Sequence, residues 1–222
     1  MKQNERQTEL QQPNSQKRRL RRQIFLVFFV VLEVVMTLVP FLGFIPVGPV
    51  NATTLHLPVI LAGMLLGWQA GLVTGFTFGL LSMLRATFQP DLTSFIFSPF
   101  ITISGYSGNL SSVFIAFVPR LLMGLTAALL SRWLLSLCHK KALAYSISAL
   151  IASMCNTILV LAGIYLFHRQ GYSHVIQVSV SALFGILAAS ITGIGLVEAI
   201  LAVMICVPIV MALQKGFKDL LV

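Results

Sequence analysis

Apolar stretches of membrane-spanning length recur along this chain from Ile24 almost to its C-terminus, and no other feature restricts its fold so strongly. A helix needs about 20 apolar residues to cross the ~30 Å hydrocarbon core of a bilayer. In that medium every backbone polar group must find its partner within the protein, which leaves helices or a closed barrel. The lengths here select helices, so the expected class is an all-α integral membrane protein. Composition agrees: 57% of the 222 residues are hydrophobic and 9% are charged, against about 25% charged in an ordinary soluble domain.

Breaks in the apolar pattern divide the chain into six transmembrane helices. Residues 1–22 form a basic, polar segment rich in Gln, Asn, Lys and Arg that reads as disordered. Residues 23–222 then make one membrane domain. Its helices are expected at about 24–44, 55–67, 71–87, 112–137, 142–167 and 191–213. The pattern reads 88–111 as a long loop, "CHKK" and "HRQGYSH" as turns, and 175–190 as either a re-entrant segment or the start of the last helix.

The net charge of +9 does not mark a nucleic-acid binder, because its distribution follows the membrane. Seven of the 15 Lys and Arg residues lie in the first 22 positions, and "KRRLRR" stops where the apolar chain begins. The first apolar stretch is too long for a secretory leader, carries Glu33, and ends without a small-residue cleavage site. With six crossings and both termini cytoplasmic, 12 basic residues fall inside and only Arg85, Arg120 and Arg169 outside. That asymmetry is what the positive-inside rule demands.

Arg85 and Arg120 therefore stand out. Arg120 lies about eight residues into its helix, roughly 12 Å from the outer end, and follows Pro119. Proline has no N–H, so a carbonyl one turn earlier is left without its helical partner. A cation at that depth is costly unless it is paired, faces a cavity or snorkels to the surface. Glu198, in "TGIGLVEAI", sits roughly 10 Å into the last helix by the same measure. Asn156 is the one strongly polar residue in the middle of its helix. Asn51, Thr53, Thr54 and His56 crowd the outer entrance of the second helix, in "VGPVNATTLHLPVI". Alternating helix directions bring all of these except mid-depth Asn156 into the outer half. The expectation is a polar pocket open to the outside, with a cation for an anionic ligand. Glu33 either pairs with an arginine or faces a partner.

Small residues mark a second kind of surface. Gly71, Gly75 and Gly79 recur at four-residue spacing, and Gly63 and Gly67 add another pair. Such stripes let helices approach closely, either within the chain or on a partner. Cys138, Cys155 and Cys206 have no metal-binding or disulfide spacing and read as core residues. Two glycosylation sequons, at Asn51 and Asn109, are short enough to occur by chance. No GxxxxGK[ST], HExxH or GxSxG motif is present. The chain thus carries no ATP site of its own, no metal or other cofactor is expected, and an enzyme is poorly supported. One lopsided outer pocket gives no pore lining, which argues against a channel.

The segments "NATTLHLPVILAGMLLG", "GLVTGFTFGLLS", "TSFIFSPF", "AFVPRLLMG", "CNTILVLAGIYL" and "GLVEAI" occur in this order. As an ordered set over about residues 40–213 they resemble the substrate-binding S components of energy-coupling factor (ECF) vitamin transporters. Within that family the likeness is greatest to pantothenate-specific members, while folate, riboflavin and pyridoxine types share the fold. The resemblance implies capture of the vitamin near the outer face of a bacterial plasma membrane. It also implies partnership with a transmembrane coupling subunit and two ABC-type ATPases. The S component is thought to topple in the bilayer to deliver its ligand. One departure is visible: many S components carry an alanine-x-x-x-alanine face on the first helix, and "IFLVFFVVLEVVMTLV" has none. Docking through Gly63 and Gly67, or through Gly71, Gly75 and Gly79, is expected in its place. The competing class is a stand-alone membrane carrier or structural subunit.

Overall fold

A computed structural model describes residues 2–39, 42–47, 50–138 and 140–216, with side-chain placement outside the description for 2–15 and 44–52. Among the described residues, eight helices carry the fold: α1 (Lys2–Leu38), α2 (His56–Leu66), α3 (Trp68–Phe88), α4 (Leu110–Leu137), α5 (Lys141–Phe167), α6 (Arg169–Val175), α7 (Val180–Ser190) and α8 (Leu196–Gly216). Two small antiparallel hairpins join them, β1 (Phe44–Val47) with β2 (Val50–Thr53), and β3 (Thr102–Ile103) with β4 (Tyr106–Ser107).

Among the described residues, four helical stretches are long and apolar enough to cross a membrane: α3, α4, α5 and the continuous Val180–Gly216. Large apolar side chains such as Phe76, Leu129, Trp133 and Met204 point outward from them. In a soluble protein a surface like this would be a liability. Here it meets lipid.

α2 is the hub. All eleven of its residues are buried, and α1, α3, α4, α5 and α8 pack around it. A helix apolar on every side belongs inside a bundle. At roughly 16 Å, from 1.5 Å per residue, it reaches about half the bilayer core. Pro58 falls in its first turn, where the missing N–H would have had no helical acceptor anyway. At the other end the Arg22 guanidinium donates to the Leu66 carbonyl over 2.6 Å, so the basic end of α1 caps α2. Gly67, with φ +89°, then turns the chain straight into α3. A residue with a side chain rarely adopts that conformation.

The glycine stripe is internal. A Cβ on Gly71 would stand 2.5 Å from the Gly124 carbonyl oxygen, and one on Gly75 2.5 Å from the Arg120 carbonyl oxygen. Gly79 faces the Ala116 carbonyl at 2.8 Å, and Gly63 of α2 faces the Gly124 carbonyl at 2.8 Å. These residues bring α4 against α2 and α3 and leave no free face, and Gly67 is a turn. The expected docking role of Gly63, Gly67, Gly71, Gly75 and Gly79 is therefore corrected to packing within the chain.

Other expectations also shift. The first helix ends at Leu38, ahead of Pro40 in the sequence, and Phe44–Val47 pairs with Val50–Thr53 as a hairpin where helix and loop were expected. Residues 2–22, expected to be disordered, continue α1, consistent with the helix propensity of Gln, Glu, Lys and Arg. The stretch 88–111 contains a 3-10 turn (Ser94–Ile96) and the second hairpin, then Asn109 and Ser112 form a capping box that starts α4. "HRQGYSH" is mostly the short helix α6. Residues 180–190 resolve as the beginning of the last helix, joined to α8 through one π-helical turn, Ile191–Gly195.

The closest α3–α4 approach supplies a test. A Cβ on Gly124 would lie 2.1 Å from the Gly71 carbonyl oxygen. Gly124→Ala is expected to lower stability by about 1–3 kcal/mol through forced separation of the helices. Gly185→Ala, where nothing lies within 4 Å, should leave the thermal midpoint in detergent unchanged or slightly raised. Equal midpoints for the two variants would show that the glycine contact is not tight.

Candidate functional site

α3, α4, α5, the π turn and α8 leave a cavity at the end of the bundle that carries both hairpins and α6. The space within it is about 880 Å³ when the open mouth is included. Thr53 of β2, the 91–97 segment and Tyr172 of α6 form its upper wall. Thr53, Arg85, Arg120, Asn156 and Glu198, five of the residues singled out from sequence, line it together.

Arg120 is held from several directions. Its Nη1 donates to the Ile115 carbonyl over 2.7 Å, and this is the carbonyl that Pro119 leaves without a helical partner. The rings of Phe78 and Phe97 lie 5.1 and 5.2 Å from its guanidinium carbon, an arrangement in which the π-faces favour a cation. Gly75 lets α3 press against the Arg120 backbone. The guanidinium's Nε is buried with no hydrogen-bond partner among the described residues.

Glu198 is tied differently. Its Oε1 accepts the Thr53 N–H over 2.5 Å and its Oε2 accepts the Thr157 hydroxyl over 3.4 Å. One carboxylate thus links β2, α5 and α8. Gly195 allows that convergence, since a Cβ there would stand 2.8 Å from the Thr157 methyl. Gly193 has nothing within 4 Å and plays no such part. Because the helix begins at Val180, Glu198 lies deep along the Val180–Gly216 helix rather than seven residues into it.

Two further buried polar atoms at the cavity have no hydrogen-bond partner among the described residues: the Ser82 hydroxyl and the Asn156 Oδ1. Asp91 is occupied by its own turn, with Oδ1 accepting from the Thr93 N–H and hydroxyl at 2.9 Å and from Ser94 at 3.2 Å. The Tyr172 phenol is pushed up to about 12 by burial and by the nearby Asp91 charge, so it keeps its proton.

His56 and Thr54 stand behind the cavity rather than in it. His56 is buried, with Nε2 3.3 Å from the Glu198 carbonyl oxygen. The Thr54 hydroxyl donates to the Leu42 carbonyl and steadies the base of the first hairpin. Asn51 pairs with Pro46 in that hairpin, and its side chain is outside the described placements. Glu33 is fully buried, and its carboxylate oxygens have no hydrogen-bond partner among the described residues, so it is not the partner of Arg120. Ser82, Phe97 and Thr157 were not singled out from sequence. Ser82 precedes Arg85 by one helical turn and Thr157 adjoins Asn156, and that adjacency is the one sequence signal either carries. Nothing local marks Phe97.

Residues 24–210 match the ECF transporter, substrate-specific component family. The chain belongs to this family. It is 35% identical over 194 residues to the pantothenic acid transporter PanT of Lactococcus lactis subsp. cremoris, covering 87% of this chain and 93% of that one. It is also 32% identical over 114 residues to the pantothenate transporter PanT of Leuconostoc mesenteroides, covering 48% and 49% respectively. This ECF family member is accordingly a multi-pass membrane protein of a transporter, a binding component rather than an enzyme.

The Glu198 link predicts a local change in opening. Glu198→Ala removes the acceptor of both Thr53 and Thr157, and hydrogen bonds to a charged group contribute about 1.5–3 kcal/mol. Hydrogen exchange of the Thr53 amide should accelerate about tenfold or more. Glu198→Gln retains an acceptor oxygen and should exchange more slowly than the alanine variant. No acceleration in Glu198→Ala would mean the hairpin is held by other contacts.

Proposed function

We propose that the chain captures pantothenate in this cavity, at the outer face of a bacterial plasma membrane, as the S component of an ECF-type importer. The carrying observation is the set of unpartnered atoms. Buried polar groups are nearly always hydrogen-bonded, yet among the described residues Arg120 Nε, Ser82 Oγ and Asn156 Oδ1 have no partner at one cavity. A ligand for this set needs an anionic acceptor for the guanidinium, a donor for the Asn156 oxygen, and a further polar group for Ser82. Pantothenate offers a carboxylate, an amide and two hydroxyls. The names of both relatives point the same way.

The bundle completes six crossings if α1 and the short α2 are counted with α3, α4, α5 and the α7–α8 helix. Twelve basic residues against three then support a cytoplasmic position for both termini and a cavity that opens outward. Delivery inward falls to toppling of the loaded bundle, in partnership with a transmembrane coupling subunit and two ABC ATPases that reset the cycle. The sequence has no phosphate-binding loop, so the energy must come from such partners.

The test is titration of the purified full chain with pantothenate, alongside mass spectrometry of small molecules released from it. One-to-one binding of pantothenate is expected. Arg120→Ala should weaken binding about a hundredfold, ~3 kcal/mol, while the protein stays folded. Asn156→Ala should cost about tenfold. Release of a different vitamin would overturn the ligand, and unchanged affinity in Arg120→Ala would overturn the anion anchor.

A further inference from the structure

We infer that Pro119 is a positioning residue for ligand selectivity: by freeing the Ile115 carbonyl it fixes Arg120 so that the Nε–Nη2 edge meets the ligand's carboxylate side-on. The inference rests on the pantothenate reading above and deepens it. A proline in a helix interior removes one helical hydrogen bond and strains the turn before it. α4 carries Pro119 nine residues past its first residue, within the buried part of the bundle. The bond it removes is the one the 119 amide would make to the Ile115 carbonyl. That carbonyl is instead taken by Arg120 Nη1 at 2.7 Å. The proline and the arginine are adjacent, so the defect and its remedy arise from one dipeptide.

The consequence is directional. A guanidinium has five N–H donors in a rigid plane. With Nη1 committed to Ile115 and the Phe78 and Phe97 rings lying against the group, the edge formed by Nε and Nη2 is the one left to a ligand. Its Nε is buried with no hydrogen-bond partner among the described residues. Two parallel N–H donors on one edge match the two oxygens of a carboxylate, the geometry for which arginine and not lysine is suited. A neutral hydroxymethyl group in the same place fills one donor only and brings no charge. The proline therefore acts on the carboxylate end of the ligand and leaves the recognition of its amide and hydroxyls to other residues.

Restoring the amide with Pro119→Ala gives the Ile115 carbonyl a helical partner and releases Nη1. The experiment measures affinity of the full chain for pantothenate and for pantothenol, in which the carboxylate is replaced by a hydroxymethyl group. The wild-type chain is expected to prefer pantothenate at least a hundredfold. In Pro119→Ala, pantothenate affinity should fall tenfold or more, pantothenol affinity should stay within twofold, and the thermal midpoint should not fall, because a helix breaker has been removed. Arg120→Lys, which keeps the charge but loses the edge, should lose the preference as well. Unaltered preference in Pro119→Ala, an equal loss for both ligands, or wild-type preference restored by lysine would overturn the inference. Should the wild-type chain bind both ligands equally, side-on recognition fails while the pantothenate reading stands. Should it bind neither, the pantothenate reading itself fails.

Discussion

A guanidinium buried in an apolar bundle is the constraint on which the rest of this structure turns. Left unpaired in a medium of low dielectric, such a group costs several kcal/mol by order of magnitude. Arg120 escapes most of that penalty through the Ile115 carbonyl and the rings of Phe78 and Phe97. Each of those partners comes from a different piece of the fold: α4 itself, α3, and the segment that follows the 3-10 turn. The bundle must hold all of them in register, and the glycine stripe of α3 achieves that by setting α4 at backbone contact. In lipid, helices gain little from hiding apolar surface from one another, so close packing of this kind supplies much of the association.

Charge balance around the cavity follows from which acids are already engaged. Two arginines and two carboxylates line it, and a simple count would make the site neutral. Glu198 is bound to Thr53 and Thr157, and Asp91 to Thr93 and Ser94. Those hydrogen bonds stabilise the carboxylates where they are and spread their charge into the β2 and 91–94 backbone. The Arg120 Nε faces none of them at hydrogen-bonding distance. Acids in this cavity serve as struts for its walls, and Glu198 also lies near enough to Arg120 for their charges to attract.

Much of this was legible in the sequence, for a physical reason. Charged and amide side chains are expensive in a membrane helix, so Arg85, Arg120, Asn156 and Glu198 stand out from their neighbours. Alternating helix direction then fixes which of them can meet. Pro119 was legible too, because a missing N–H names the carbonyl it orphans. The bounds of α3, α4 and α5 agree with the structure within a few residues, since long apolar helices declare themselves. The hairpin of Phe44–Thr53 did not show, because strands of only four residues, FIPV and VNAT, carry no clear alternation. Ser82 and Thr157 were hidden by their chemistry: a hydroxyl in a membrane helix usually bonds its own backbone, as Thr74, Thr87 and Ser148 do here. Nor could the glycine stripe be assigned, since close packing within a chain and between chains requires the same spacing.

The position of the first hairpin ties these strands together. Thr53 ends β2, lines the cavity, and gives its amide to Glu198; Thr54 anchors to Leu42, and His56 opens α2 with its ring against the Glu198 backbone. Within four residues the chain passes from a hairpin over the cavity to the buried hub of the bundle. A displacement of the hairpin therefore reaches α2 and α8 through Glu198 rather than dissipating in a loose connection. This explains why so many hydrogen-bonding residues crowd an entrance to an apolar helix. They serve less as ligand contacts than as the joint between a polar cover and an apolar core, with Thr53 alone of those with described side chains reaching the cavity.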